Sequence, residues 1–184
     1  MERERLLNVP NALTVLRMAL IIAFVSVHFG RPDRRDVAMG LFAVAGATDF
    51  LDGFIARRFH QITWLGKLLD PLADKLMILG ALLCLMASQI VPAWLLGAMV
   101  LKELYMIAGA AVLFHHDCVA SSDLLGKAAT FLFVPAVVMV YPWHGIWALR
   151  MAGACLLYLS AGLSLAAAAH YTAWAVKKSR SFKM

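Results

Sequence analysis

Charge is scarce in this chain. Only 15% of its 184 residues are Asp, Glu, Lys or Arg, against about a quarter in a typical soluble domain. Hydrophobic residues make up 62%, and the mean hydropathy is +0.78. That balance excludes an ordinary soluble domain and points to an integral membrane protein with little mass outside the bilayer. Cysteine is equally sparse. Cys84, Cys118 and Cys155 are far apart, so no metal-type Cys spacing exists, and the two in apolar runs read as packing residues. The first apolar run lacks a small-residue cleavage pattern and reads as a retained helix. No internal repeat or inverted half-symmetry of the transporter kind is present. The net charge of +6 gathers at segment ends and in the tail. It suits an anionic inner leaflet, and nothing resembles a base-reading module.

What is there is a series of long apolar segments. A membrane-crossing helix needs about 20 mostly apolar residues. The sequence predicts an all-α membrane domain over 1–184 with six such helices. They cover Asn11–Gly30, Val37–Arg57, Leu68–Ser88, Ala93–Phe114, Leu124–Tyr141 and Gly145–Val176. Residues 1–10 form a surface segment, and 177–184 form a basic tail. Arg3, Arg5, Arg57, Arg58, Lys67, Lys127 and the tail cations fall on one side. The positive-inside rule makes that side, and both termini, cytoplasmic. The predicted location is a bacterial cytoplasmic membrane.

Four aspartates interrupt the apolar pattern where the second and third helices meet. Ionisable groups in or beside a membrane segment are costly and mark function. Asp49 and Asp52 are three apart, and Asp70 and Asp74 are four apart, so each pair shares a helix face. Were the two helices antiparallel neighbours, both pairs would point into one cleft. Converging carboxylates need counter-charge, and hard divalent cations take oxygen ligands. Paired metals suit an in-line displacement at phosphorus. Pro71 strains a helical conformation at Asp70, so the third helix either starts or kinks there.

These residues carry a family resemblance. Asp49-x2-Asp52-Gly53-x2-Ala56-Arg57-x8-Gly66-x3-Asp70-x3-Asp74 resembles the signature of the CDP-alcohol phosphotransferases, matching all eight fixed positions. The resemblance implies transfer of a phosphatidyl group from CDP-diacylglycerol to an alcohol, with release of CMP. It implies Mg²⁺ or Mn²⁺ as cofactor, two ions, held by Asp49, Asp52, Asp70 and Asp74, with Asp74 as general base. Gly53, Ala56, Arg57, Thr63 and Gly66 would receive the cytidine diphosphate portion, Gly66 also letting the loop turn back into the third helix. A homodimer is implied as well.

In the first helix, Asn11, Thr14 and Arg17 are each three apart and form a polar stripe behind Pro10. By resemblance, Asn11 and Thr14 lie near the nucleotide and Arg17 faces the cavity and the acceptor. The alternative is a capping Asn11 and a snorkelling Arg17. Lys102-Glu103 is either a self-neutralising pair or part of the acceptor site. Lys127, in Gly126-Lys127-x-x-Thr130, either binds acceptor phosphate or snorkels. His115, His116, Asp117 and Cys118 read as solvated, since their spacing does not match a closed zinc site. The opening Pro-Asn-x-Leu-Thr-x-x-Arg, the short chain and the Gly-Lys-x-x-Thr element resemble the phosphatidylglycerophosphate synthases of the family, which implies glycerol 3-phosphate as acceptor. Cardiolipin synthases, using phosphatidylglycerol, are the nearest rival. A metal or solute transporter with an acidic path is the rival of another class, but it gives no reason for Gly53, Ala56, Arg57 and Gly66 at these offsets.

Overall fold

The computed structural model describes residues 9–59, 64–114, 124–141 and 146–181. They form six α-helices and no strand: α1 Val9–Gly30, α2 Arg35–Phe59, α3 Trp64–Ala87, α4 Ala93–Phe114, α5 Leu124–Val140 and α6 Trp147–Ser181. A 3₁₀ turn, Pro32–Arg34, joins α1 to α2. Its proline presets φ and gives up an N–H that a helix start does not use.

The all-α expectation therefore holds, with shifted boundaries. α3 begins at Trp64, earlier than expected, so Pro71 lies inside the helix and the third helix does not start at Asp70. A proline there leaves the carbonyl one turn back without its usual N–H partner. Gly66 is a buried residue of α3 and not a turn glycine of the preceding loop. α6 runs on through Lys177, Lys178 and Arg180, so the basic tail continues the helix. Among the described residues, Asn11–Gly30 and Trp147–Ala173 are long and apolar enough to cross a membrane, and Leu125–Val140 is a shorter apolar helix. α2 and α3 lose hydropathy to the acids and bases of the motif.

The chain divides into two compact units, Met1–Val91 and Pro92–Met184. In the first, α1 packs against both α2 and α3. Phe24 of α1 meets Phe42 of α2, ring centroids 5.3 Å apart and tilted, a favourable aromatic geometry. Ile21, Ala38, Ala45, Ala73, Met77, Ala81 and Leu85 belong to the same buried core. A Cβ placed on Gly80 would stand 3.3 Å from Val25 Cγ2, so this glycine lets α3 sit close to α1. His28 meets Ser88 at 3.3 Å. Contacts between α1 and α3 thus rise together in residue number, and the two helices run parallel. α2 runs antiparallel to α1.

The end of α3 closes with a left-handed residue, Gln89 at φ 57°. Gln89 N–H donates to Met86 C=O and Ile90 N–H to Leu85 C=O, both at 2.9 Å. That pair of bonds satisfies carbonyls the helix would otherwise leave open.

In the second unit, α6 packs against α5 and α4. A Cβ on Gly153 would lie 2.5 Å from the Val140 nitrogen and 2.7 Å from the Met139 carbonyl carbon, so the α6 backbone touches the end of α5 directly. Small residues permit such approach in membrane helices. Ser160 Oγ donates to Ala129 C=O at 2.8 Å and ties the same two helices again.

Candidate active site

Two acids of the motif, Asp49 and Asp74, meet at one arginine. Arg17 is the ninth residue of α1 and is fully buried. Its Nη1 forms an ion pair with Asp49 Oδ1 of α2. The same Nη1 donates to Asp74 Oδ1 of α3 at 2.7 Å. One turn earlier on α1, Thr14 Oγ1 donates to Asp70 Oδ1 at 2.8 Å. Parallel packing makes this ladder possible: a three-residue step on α1 meets a four-residue step on α3.

Thr14 and Arg17 of the expected α1 stripe therefore face the acids, and Asn11, Thr14 and Arg17 are all buried. Arg17 does not snorkel. The carboxylates sit further out: the Asp49 and Asp74 side chains keep 32% and 40% of their surface exposed over an arginine with none. Asp70 is exposed. The layout is a buried cation beneath a rim of anions that a ligand can reach. All three acids lie toward the α1 N-terminus, the α2 C-terminus and the α3 N-terminus.

Asp52, Gly53, Ala56 and Arg57 belong to the last turns of α2, but their side chains lie outside the described residues, as does all of Thr63. So do His115, His116, Asp117 and Cys118. Among the described residues no three Asp, Glu, His or Cys side chains stand together closely enough to hold a metal ion. Asp49 and Asp70/Asp74 offer carboxylate oxygens from two helices, and Asp52 lies one turn from Asp49. Oxygen donors of this kind suit a hard divalent cation. Arg17 formally offsets only one of the four negative charges, so the residues fit a further cation.

In the second unit Lys102 Nζ pairs with Glu103 at 2.6 Å and donates to Ser164 Oγ of α6 at 2.9 Å. The self-neutralising pair is thus present, with α6 as a third member. Tyr105 repeats the pattern, donating to Thr172 Oγ1 at 2.9 Å. Lys127 is exposed near the start of α5. Sequence reading missed the Arg17 bridge. The three-residue stripe shows a polar face on α1, but only the packing register tells which helices that face meets.

Similar proteins point the same way. The chain is 37% identical over 135 residues to a cardiolipin synthase (CMP-forming) of Streptomyces coelicolor, covering 71% of this chain and 63% of that one. It is 34% identical over 143 residues to a CDP-diacylglycerol--glycerol-3-phosphate 3-phosphatidyltransferase of Bacillus subtilis, covering 71% of this chain and 74% of that one. A Pseudomonas fluorescens protein of the latter name is 48% identical over 84 residues, 45% of this chain and 43% of its own. The chain spans less than two thirds of the Streptomyces and Pseudomonas relatives. The CDP-alcohol phosphatidyltransferase family matches residues 7–176, through both units and across every motif aspartate. With the signature intact and its described acids assembled on α1, this chain belongs to the CDP-alcohol phosphatidyltransferase family.

Proposed function

We propose that the chain transfers a phosphatidyl group from CDP-diacylglycerol to the hydroxyl of glycerol 3-phosphate and releases CMP. The observation that carries this is the meeting of Asp49, Asp70 and Asp74 on one face of α1. The family is membrane-embedded and generally depends on a divalent metal. Our finer reading is one membrane domain of six spans, both termini and the site cytoplasmic, acting as a homodimer.

Asp49, Asp52, Asp70 and Asp74 would hold two ions, Mg²⁺ or Mn²⁺. Bound there, the metal supplies positive charge to the pyrophosphate and to the departing CMP. The chain's own residues do the rest. Arg17 grips one oxygen of Asp74 and fixes its rotamer, while the carboxylate keeps exposed surface toward solvent. Asp74 takes the proton of the acceptor hydroxyl. The acceptor oxygen forms a bond to the phosphorus that carries diacylglycerol, and that phosphorus releases its bond to CMP. Gly53, Ala56 and Gly66 leave room for the nucleotide, and Asn11, Thr14, Arg57 and Thr63 supply polar contacts to it. Acceptor contacts from Lys102 and Lys127 rest on the sequence resemblance. We assign Arg17 to the carboxylates and not to the acceptor, because its guanidinium is buried against them.

Phosphatidylglycerol as acceptor is the second reading, favoured by the Streptomyces relative. The test offers glycerol 3-phosphate and phosphatidylglycerol separately to purified protein with CDP-diacylglycerol and Mg²⁺. CMP release with glycerol 3-phosphate, lost in Asp74→Asn, supports the first reading; release with phosphatidylglycerol alone selects the second. No release with either from folded protein rejects both.

A further inference from the structure

Arg17 joins the first and last acids of the motif. Asp49 comes from α2 and Asp74 from α3, and one nitrogen of a fully buried guanidinium holds both. Carboxylates brought together at a membrane-embedded site repel, and each is costly without a partner. A permanent cation beneath them lowers that repulsion before any other cation arrives. The same cation also repels a divalent ion seeking the same carboxylates, because Coulomb energies fall off slowly where water is thin.

We infer that Arg17 is a built-in counter-cation: a positioning residue that keeps Asp49 and Asp74 assembled in the metal-free protein and weakens their hold on a divalent ion. The inference rests on the metal reading proposed above. It differs from a purely structural arginine, which would stabilise the fold equally with and without metal. It differs also from an arginine that orients ligands for the metal, whose loss would weaken metal binding.

The experiment follows thermal unfolding of the full chain in detergent, with chelator or with increasing MgCl₂. Wild type gains stability as Mg²⁺ rises. Arg17→Met lowers the metal-free midpoint by roughly 6–12 °C. Mg²⁺ recovers most of that loss, half-saturating at a concentration roughly tenfold lower than in wild type. Arg17→Lys keeps the charge and follows wild type in both respects. An equal loss with and without Mg²⁺ overturns the inference, as does weaker Mg²⁺ binding in Arg17→Met. If Arg17→Met folds only with Mg²⁺, the inference stands in its strongest form. If it folds in neither condition, Arg17→Gln, neutral but still a donor, is read against the same shifts. A wild type indifferent to Mg²⁺ and Mn²⁺ sinks the metal reading and this inference with it. A responsive wild type with no enhanced response in the variant sinks this inference alone.

Discussion

Thr14 of α1 and Asp70 of α3 are joined by a 2.8 Å hydrogen bond across 56 positions of sequence. α1 carries none of the motif acids, yet it sets the direction of this one. Thr14→Val keeps the shape and removes the donor. The fold should survive, since Asp70 is exposed and can turn to water. The Mg²⁺ concentration needed for half-maximal CMP release should rise about tenfold, the usual weight of one hydrogen bond to a charged group. A titration of activity against Mg²⁺ checks it; an unchanged midpoint rejects a role for Thr14 in orienting Asp70.

Chelation is the broader test of the acidic rim. EDTA should abolish CMP release, and added Mg²⁺ should restore it without refolding. Activity persisting in chelator would mean the carboxylates serve something other than a metal.

Gly153 and Gly162 both lie on α6 and should respond oppositely to alanine. A methyl at Gly153 meets the backbone of α5 at 2.5 Å, whereas one at Gly162 meets nothing within 4 Å. Gly153→Ala forces the helices apart and should cost about 1–3 kcal/mol. Gly162→Ala should stabilise by about 0.5–1 kcal/mol through helix propensity. Unfolding midpoints of the two variants decide the matter; equal effects would contradict the packing of α5 on α6.

Gln89 holds a left-handed backbone at the end of α3, a conformation that costs a side-chain-bearing residue about 1 kcal/mol. Gln89→Gly should raise the unfolding midpoint by about 2 °C with no change in turnover. A lower midpoint would show that the glutamine side chain contributes more than its backbone strain removes.

The helices were legible because apolar runs of spanning length leave few alternatives. The polar stripe on α1 was legible too, from the three-residue step of Asn11, Thr14 and Arg17. What escaped was everything set by register between helices. Arg17 read as facing an acceptor because nothing local ties position 17 to positions 49 and 74. Pro71 left open a start or a kink at Asp70 because the pre-proline rule is local, while α3 begins earlier, at Trp64, and runs through it. Gly66, read as a turn residue, proved helical for the same reason. The Lys102–Glu103 pair was visible in sequence, but its tie to Ser164 on α6 was not.

The parallel course of α1 and α3 decides where this chain can tolerate insertions. One added residue between Pro71 and Asp74 would swing that carboxylate by about 100° around its helix axis. It would leave Arg17, while Asp70 kept its place against Thr14. Length variation is therefore intolerable inside the acidic step of α3.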